Sequence, residues 1–97
     1  MNMQAMLKQA QNMQRDMMKI KKEIDETEFT GESSFVTVTV NGKKEIVNVV
    51  INADEVDKDD LDMISDLFVV ATNNAMKKVD DITEKKMAKF GNIPGMF

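Results

Sequence analysis

The residues best suited to chemistry in this sequence are basic side chains at regular intervals. Lys8, Arg15 and Lys22 follow one another every seven residues, and on a helix this spacing aligns them on one face about 10 Å apart. Lys19 and Lys21 lie beside them. A row of cations can neutralise the phosphates of an anionic polymer, although charged rows are also the ordinary surface of a solvated helix.

A second basic cluster occurs late in the chain. It comprises Lys77, Lys78, Lys85, Lys86 and Lys89. Acidic residues are interleaved with both clusters, namely Asp16, Glu23, Asp25, Asp80, Asp81 and Glu84. Because the net charge of -4 repels polyanions at long range, any binding of nucleic acid must come from a local basic patch.

Several chemistries are excluded by composition. The chain has no cysteine and no histidine, which removes disulfides, the usual zinc sites, thiolate nucleophiles and imidazole bases. Gly31 and Gly42 stand alone and form no phosphate loop, and the five phenylalanines lie outside any basic strand pattern that stacks bases. We therefore predict a protein that is not an enzyme and has no metal site and no cofactor.

The acidic run at residues 54–62 raises the question of calcium. An EF-hand loop counted from Asp57 would need an oxygen ligand at its fifth position and glutamate at its twelfth, and this chain has Leu61 and Phe68 there. The run instead predicts the start of a helix, where carboxylates complement the helix dipole.

The N-terminal region has the pattern of one long helix over residues 1–27. Apolar residues recur at alternating steps of three and four, the a and d positions of a heptad repeat. They are Met3, Met6, Ala10, Met13, Met17, Ile20, Ile24 and Thr27. Such a helix is about 37 Å long, longer than a small domain is wide. Its methionine stripe predicts a packed seam, or alternatively an adaptable groove for partner helices.

Residues 28–52 alternate with period two and predict an antiparallel three-stranded sheet. Asn41-Gly42 predicts a hairpin with a type I′ turn, which needs positive φ at both residues. On the returning strand we expect Val47, Val49 and Ile51 on one face, opposite to the face that carries Ile46 and Val50. Both faces are then apolar, which calls for a partner subunit.

The remaining chain predicts a second helix over residues 57–89 and a flexible tail over residues 90–97, all within a single domain. The expected buried stripe of this helix runs through Leu61, Ile64, Leu67, Phe68, Ala71, Ala75, Val79 and Ile82. No stretch has the length and hydropathy of a membrane span, and the N-terminus lacks the features of a signal peptide. We therefore expect a cytoplasmic protein.

Four segments occur in the order typical of the YbaB/EbfC family. They are MLKQAQNMQ at 6–14, TGES at 30–33, VTVTVNG at 36–42, and the residues Asp66, Leu67, Ala71, Asn74 and Ala75. The ending IPGMF at 93–97 is also similar to the ending of family members. The chain therefore resembles this family over nearly its whole length.

The resemblance implies a bacterial nucleoid-associated protein with an α+β fold: an intertwined homodimer with projecting helices that bind duplex DNA. Carried onto this chain, it assigns DNA contact to Lys8, Arg15, Lys19, Lys22, Lys77, Lys78, Lys85, Lys86 and Lys89. The implied function is phosphate contact with little sequence specificity, which organises or bends the chromosome. The alternative is a dimeric protein-protein adaptor that uses the methionine-rich helix and does not bind DNA.

Overall fold

The first helix, α1, is bounded by residues that satisfy its free backbone groups. A computed structural model describes residues 2–52, 54 and 56–91, and α1 spans Met3–Glu26. At its start, the Asn2 side chain accepts a 2.9 Å hydrogen bond from the backbone N–H of Gln4. At its end, Thr27 is extended and its hydroxyl donates to the Glu23 carbonyl at 2.7 Å. The helix predicted over 1–27 thus occupies residues 3–26.

Three antiparallel strands follow, in the sheet order β1-β2-β3. They are β1 (Glu28–Ser33), β2 (Val36–Asn41) and β3 (Ile46–Ile51). Val36, Val38 and Val40 alternate along the central strand β2 and are fully buried, as expected for β-branched residues on the inner face of a sheet. With the long helix that follows, this order confirms the predicted α+β architecture.

The second long helix, α2, spans Leu61–Met87 and packs across β1 and β2. Its buried face has small residues, Ala71 and Ala75, followed by Val79. A Cβ atom at Gly31 of β1 would lie 2.1 Å from the Ala71 carbonyl oxygen and 2.5 Å from the Ala75 nitrogen. Glycine is therefore required here by the close approach of helix and strand backbones, which holds α2 against the β1 side of the sheet.

The acidic run forms the start of α2, as predicted. Asp57 caps a short 3-10 helix at Lys58–Asp60, and the Asp60 carboxylate accepts a 3.1 Å hydrogen bond from the backbone N–H of Asp57. This reciprocal arrangement is a capping box. After α2, a second 3-10 helix covers Ala88–Phe90. The predicted tail therefore begins inside this turn, and residues 92–97 lie outside the described part of the chain.

The β2–β3 hairpin is present, but its predicted type I′ turn is wrong. Positive φ angles among the described residues occur at Ser34, Lys44 and Gly91. The Lys44 N–H donates to the Asn41 carbonyl and the Asn41 N–H donates to the Glu45 carbonyl, each at 3.0 Å. These bonds close a three-residue loop whose last residue, Lys44, has a left-handed backbone conformation. Loops of this kind are among the most common hairpin connections after two-residue turns.

A β-bulge changes the expected faces of β3. The register places Val40 of β2 opposite Ile46 and skips Val47. Ile46 was expected on the face of Val50, and this prediction is wrong because directly opposite residues share a face. Ile46 therefore lies on the same side of the sheet as the buried Val40, where α2 covers β1 and β2.

Candidate nucleic-acid interface

The first group of candidate residues, which we call the outward set, lies on α1 and consists of Lys8, Arg15, Lys19 and Lys22. The buried residues of α1 are Met17 and Ile24, both at seam positions, and α1 packs against α2. Lys8, Arg15 and Lys22 occupy f positions of the heptad, about 170° around the helix from the middle of the seam, and Lys19 occupies a c position, about 130° from it. The outward set therefore faces away from α2, is exposed and extends over about 21 Å from Lys8 to Lys22.

The second group, the α2 set, consists of Lys77, Lys78, Lys85, Lys86 and Lys89. Lys78 and Lys85 are seven residues apart and share one side of α2, and Lys89 follows in the 3-10 turn. Two members make contacts within the protomer. The Lys78 ammonium donates to the Thr30 carbonyl of β1, and the Lys89 ammonium lies 5.0 Å from the centroid of the Phe90 ring. Because the outward set faces away from α2, the two sets do not meet across the α1–α2 contact.

The interleaved carboxylates do not neutralise the candidate cations directly. Ion pairs within the described chain join Lys21 to Asp25 at 3.3 Å and Lys44 to Asp80 at 2.6 Å. No member of the outward set or the α2 set forms an ion pair with a described residue. The acidic neighbours therefore act on both sets through the general electrostatic field and not through side-chain pairing.

The hairpin tip brings in basic residues that the sequence reasoning missed. A Cβ atom at Gly42 would lie 1.9 Å from the Ile24 carbonyl oxygen, so this glycine allows the tip to pack against the end of α1. The resulting groove is lined by Lys21, Lys43 and Lys44 and also by the carboxylates of Asp25 and Asp80. The signal that could have found them is the Lys43-Lys44 pair directly after Asn41-Gly42, although the Lys44 charge is paired with Asp80.

Aromatic side chains supply no stacking surface in the described part of the chain. Phe29 and Phe35 are buried, and Phe68 and Phe90 are half-buried. Phe97 lies outside the described residues. Recognition of single strands commonly uses exposed rings that stack on bases, and the described phenylalanines offer no such platform.

A second exposed surface is apolar and lies on β3. Ile46, Val47, Val49, Val50 and Ile51 are between 39% and 51% exposed. Val49 pairs with the fully buried Val38, but α2 packs mainly on β1 and β2. A monomer would thus leave an apolar edge strand in water, which proteins ordinarily avoid.

The described helices include none that is both long enough and apolar enough to cross a membrane. The fold and the exposed cationic helix faces together define a small α+β protein with surfaces suited to binding a polyanion. The chain belongs to the YbaB/EbfC DNA-binding family, whose model matches residues 1–93. This is a DNA-binding family and not a family of enzymes, and its description confirms the resemblance found in the sequence.

Curated relatives agree with this assignment. The chain is 44% identical to a nucleoid-associated protein of Clostridium novyi, with 100% of this chain and 90% of that protein covered. It is 43% identical to a nucleoid-associated protein of Streptococcus suis, with 97% of this chain and 98% of that protein covered. The family and these names support a nucleoid-associated DNA-binding protein.

The fold also matches a solved structure. The crystal structure of an uncharacterized protein from Helicobacter pylori superimposes with a TM-score of 0.76 at 18% identity, covering 95% of this chain and 99% of that chain. At this level of identity the match supports the fold alone.

Proposed function

We propose that this chain is a nucleoid-associated protein that acts as a homodimer in the nucleoid, binds duplex DNA through its phosphates with little sequence specificity, and organises or bends the chromosome. The observation that carries the proposal is the outward set. Lys8, Arg15, Lys19 and Lys22 are exposed on one side of a helix, and no described carboxylate pairs with them. Further contacts in the same proposal come from the α2 set members Lys77, Lys85, Lys86 and Lys89, whereas the Lys78 ammonium already bonds to the Thr30 carbonyl.

The dimensions of the outward set suit a duplex. Its length of about 21 Å corresponds to roughly six base-pair steps at 3.4 Å each. Lysine and arginine at this spacing can contact phosphates without reading base edges, and such contacts carry no sequence information. Since the whole molecule has a net charge of -4, affinity must come from this local row and must be sensitive to salt.

The homodimer in this proposal uses the apolar surface of β3. Pairing with β3 of a second copy would satisfy the free backbone groups of the edge strand and cover Ile46, Val49 and Ile51. A two-fold contact of this kind is the commonest form of protein oligomer. It would also present two outward sets to one DNA molecule, which raises the apparent affinity without new types of contact.

The proposal is tested by fluorescence anisotropy with a labelled duplex of random sequence at several salt concentrations. If each protomer contacts three phosphates, the dimer makes six contacts, and log affinity should fall against log salt with a slope of about -5. The absence of binding at low salt would contradict the proposal and favour the adaptor hypothesis, which predicts association that is insensitive to salt and a specific protein partner.

The outward set is tested by charge reversal in the same titration. The triple variant Lys8→Glu, Arg15→Glu, Lys22→Glu is expected to lose DNA binding, because each substitution replaces an attraction to phosphate by a repulsion. All three positions are exposed, so the dimer should persist. Unchanged affinity in the triple variant would rule out this surface.

A matched pair of variants separates local contact from net charge. Arg15→Glu and Lys58→Glu change the net charge equally at exposed positions, but only the first variant alters the outward set. We expect the first variant to weaken DNA binding at least tenfold more than the second. Equal losses would show that the general field, and not the outward set, determines affinity.

A further inference from the structure

The N-terminal half of α1 has an apolar stripe that the described protomer does not cover. Met3, Met6, Ala10 and Met13, which we call the N-terminal seam, continue the heptad register of the buried Met17. All four are exposed, and Leu7 beside them lines the same apolar surface as Met3 and Met6. The helix pattern is thus continuous, but the packing against α2 reaches only its C-terminal half.

The charges around the N-terminal seam favour a second copy of the same helix. Between Met3 and Gln14, Lys8 is the single charged residue, and it lies on the opposite side of α1 from the seam. The flanking residues Leu7, Gln9 and Gln14 are uncharged. Two such stripes can therefore approach without like-charge repulsion. The lack of charge is a local feature, because 31% of the residues in the whole chain are charged. The stripe is therefore unusual for a solvated surface and suits a neutral, apolar partner.

The spacing of the N-terminal seam is self-complementary when two helices run antiparallel. Met3 then faces Met13 of the second helix, and Met6 faces Ala10. The two-fold axis repeats both pairs with the helices exchanged, which gives four layers in all. Each layer pairs an a position with a d position, and the small Ala10 leaves room for the flexible Met6. Such a contact is isologous, so each seam pairs with one other seam and no more.

We propose that the N-terminal seams of two α1 helices, from two different homodimers, pair antiparallel and so link one dimer to another. The four layers extend over about 15 Å and would bury less than the roughly 1,000 Å² of a stable interface. The link is therefore weak and depends on protein concentration. Lys8 lies outside the helix pair, so the outward set stays free. The assembly itself does not depend on DNA binding, but a bridge between two duplexes would rest on the proposed function.

Sedimentation velocity of the full-length protein without DNA tests the link. We expect the mass of the wild-type protein to rise above that of a dimer with increasing concentration. Met6→Glu, at a position 50% exposed in the protomer, should stop at the dimer because it places charges against the seam. The matched control is Met18→Glu, at a methionine that is 65% exposed and lies outside the seam. It should assemble like the wild type.

Three sedimentation results would overturn the proposal. A wild-type mass that stays at the dimer would mean that nothing joins dimers, as when another part of the same chain covers the seam. A monomeric Met6→Glu variant would assign the seam to the dimer contact itself. An equal loss in Met18→Glu would make the effect one of charge and not of the seam. Helical content by circular dichroism should be the same in all three proteins.

Disulfide trapping tests the antiparallel register, since the chain has no cysteine of its own. Met3→Cys and Met13→Cys chains, made separately and mixed under mild oxidation, should form a disulfide between the two kinds of chain. Met3→Cys alone should cross-link little, because its two sulfurs lie at opposite ends of the pair. Faster cross-linking of Met3→Cys alone would indicate parallel helices and overturn the register. No DNA is present, so these outcomes are separate from those that test DNA binding.

Discussion

The two edges of the sheet differ in whether side chains bond to the backbone of the edge strand. At the β1 edge, side chains of α2 bond to the strand backbone: Asn74 donates to the Glu32 carbonyl at 3.3 Å, and Lys78 donates to the Thr30 carbonyl. At the β3 edge, no described helix side chain reaches the strand in this way, and the apolar residues are exposed. An edge strand with free backbone groups is a template for pairing with another chain. The α2 side chains therefore block the template at the β1 edge, whereas the template at the β3 edge stays open in the described protomer.

This difference determines how copies of the chain can associate through the sheet. If both edges were open, sheets could add at either side and grow into a fibre, because head-to-tail contacts need not close. With β1 blocked, pairing through β3 ends at two protomers. The comparison therefore connects Asn74 and Lys78, which are polar residues on a helix surface, to the closed assembly in the proposed function.

The largest expected effect comes from closing the β3 edge. Val49→Lys puts a charge on the exposed apolar face of β3 and should convert the dimer to a monomer in sedimentation. It should also weaken DNA binding about 100-fold, because two linked outward sets become one. The control is Met18→Lys, which makes the same change at an exposed α1 position and should leave both properties intact. A Val49→Lys protein that stays dimeric would place the dimer contact elsewhere.

A smaller effect is expected from opening the β1 edge. Asn74→Ala, Lys78→Ala removes both hydrogen bonds to the strand, each of the kind that contributes about 1 kcal/mol or less at an exposed site. The free energy of unfolding in urea should fall by about 1 kcal/mol, and static light scattering should show concentration-dependent growth through the newly free edge. Asn73→Ala, Lys77→Ala removes the same residue types one position earlier and is the matched control. Equal scattering by the two variants would mean that the hydrogen bonds do not guard the edge.

Local patterns in the sequence predicted the elements well. The heptad repeat located α1, the period of two located β2, and the acidic run located the start of α2. These patterns reflect short-range preferences, such as the pleat of a strand or a capping carboxylate, that hold whatever surrounds them. The order of the elements also followed from these patterns, and the family resemblance added the expected homodimer and its DNA contacts.

Features that depend on distant residues were less predictable. Gly42 was interpreted as a turn residue, but its lack of a side chain is required by Ile24, which is 18 positions away in the sequence. The heptad pattern also could not tell that Met17 is buried while Met6 is exposed, since both have the same local pattern. Whether a seam residue is covered depends on how far α2 reaches, and that is a property of the tertiary structure.

The smallest expected effect distinguishes the two roles of lysine on α2. Lys78 was predicted to contact DNA with its neighbours, but its ammonium already bonds to the Thr30 carbonyl, whereas Lys85 forms no ion pair or side-chain hydrogen bond with a described residue. Lys85→Ala removes two phosphate contacts from a dimer. The slope of log affinity against log salt should therefore become shallower by about 2. Lys78→Ala should leave the slope unchanged, because its charge serves the edge of the sheet. An equal change of slope in both variants would mean that Lys78 leaves β1 when DNA binds, and the blocked edge would then open in the complex.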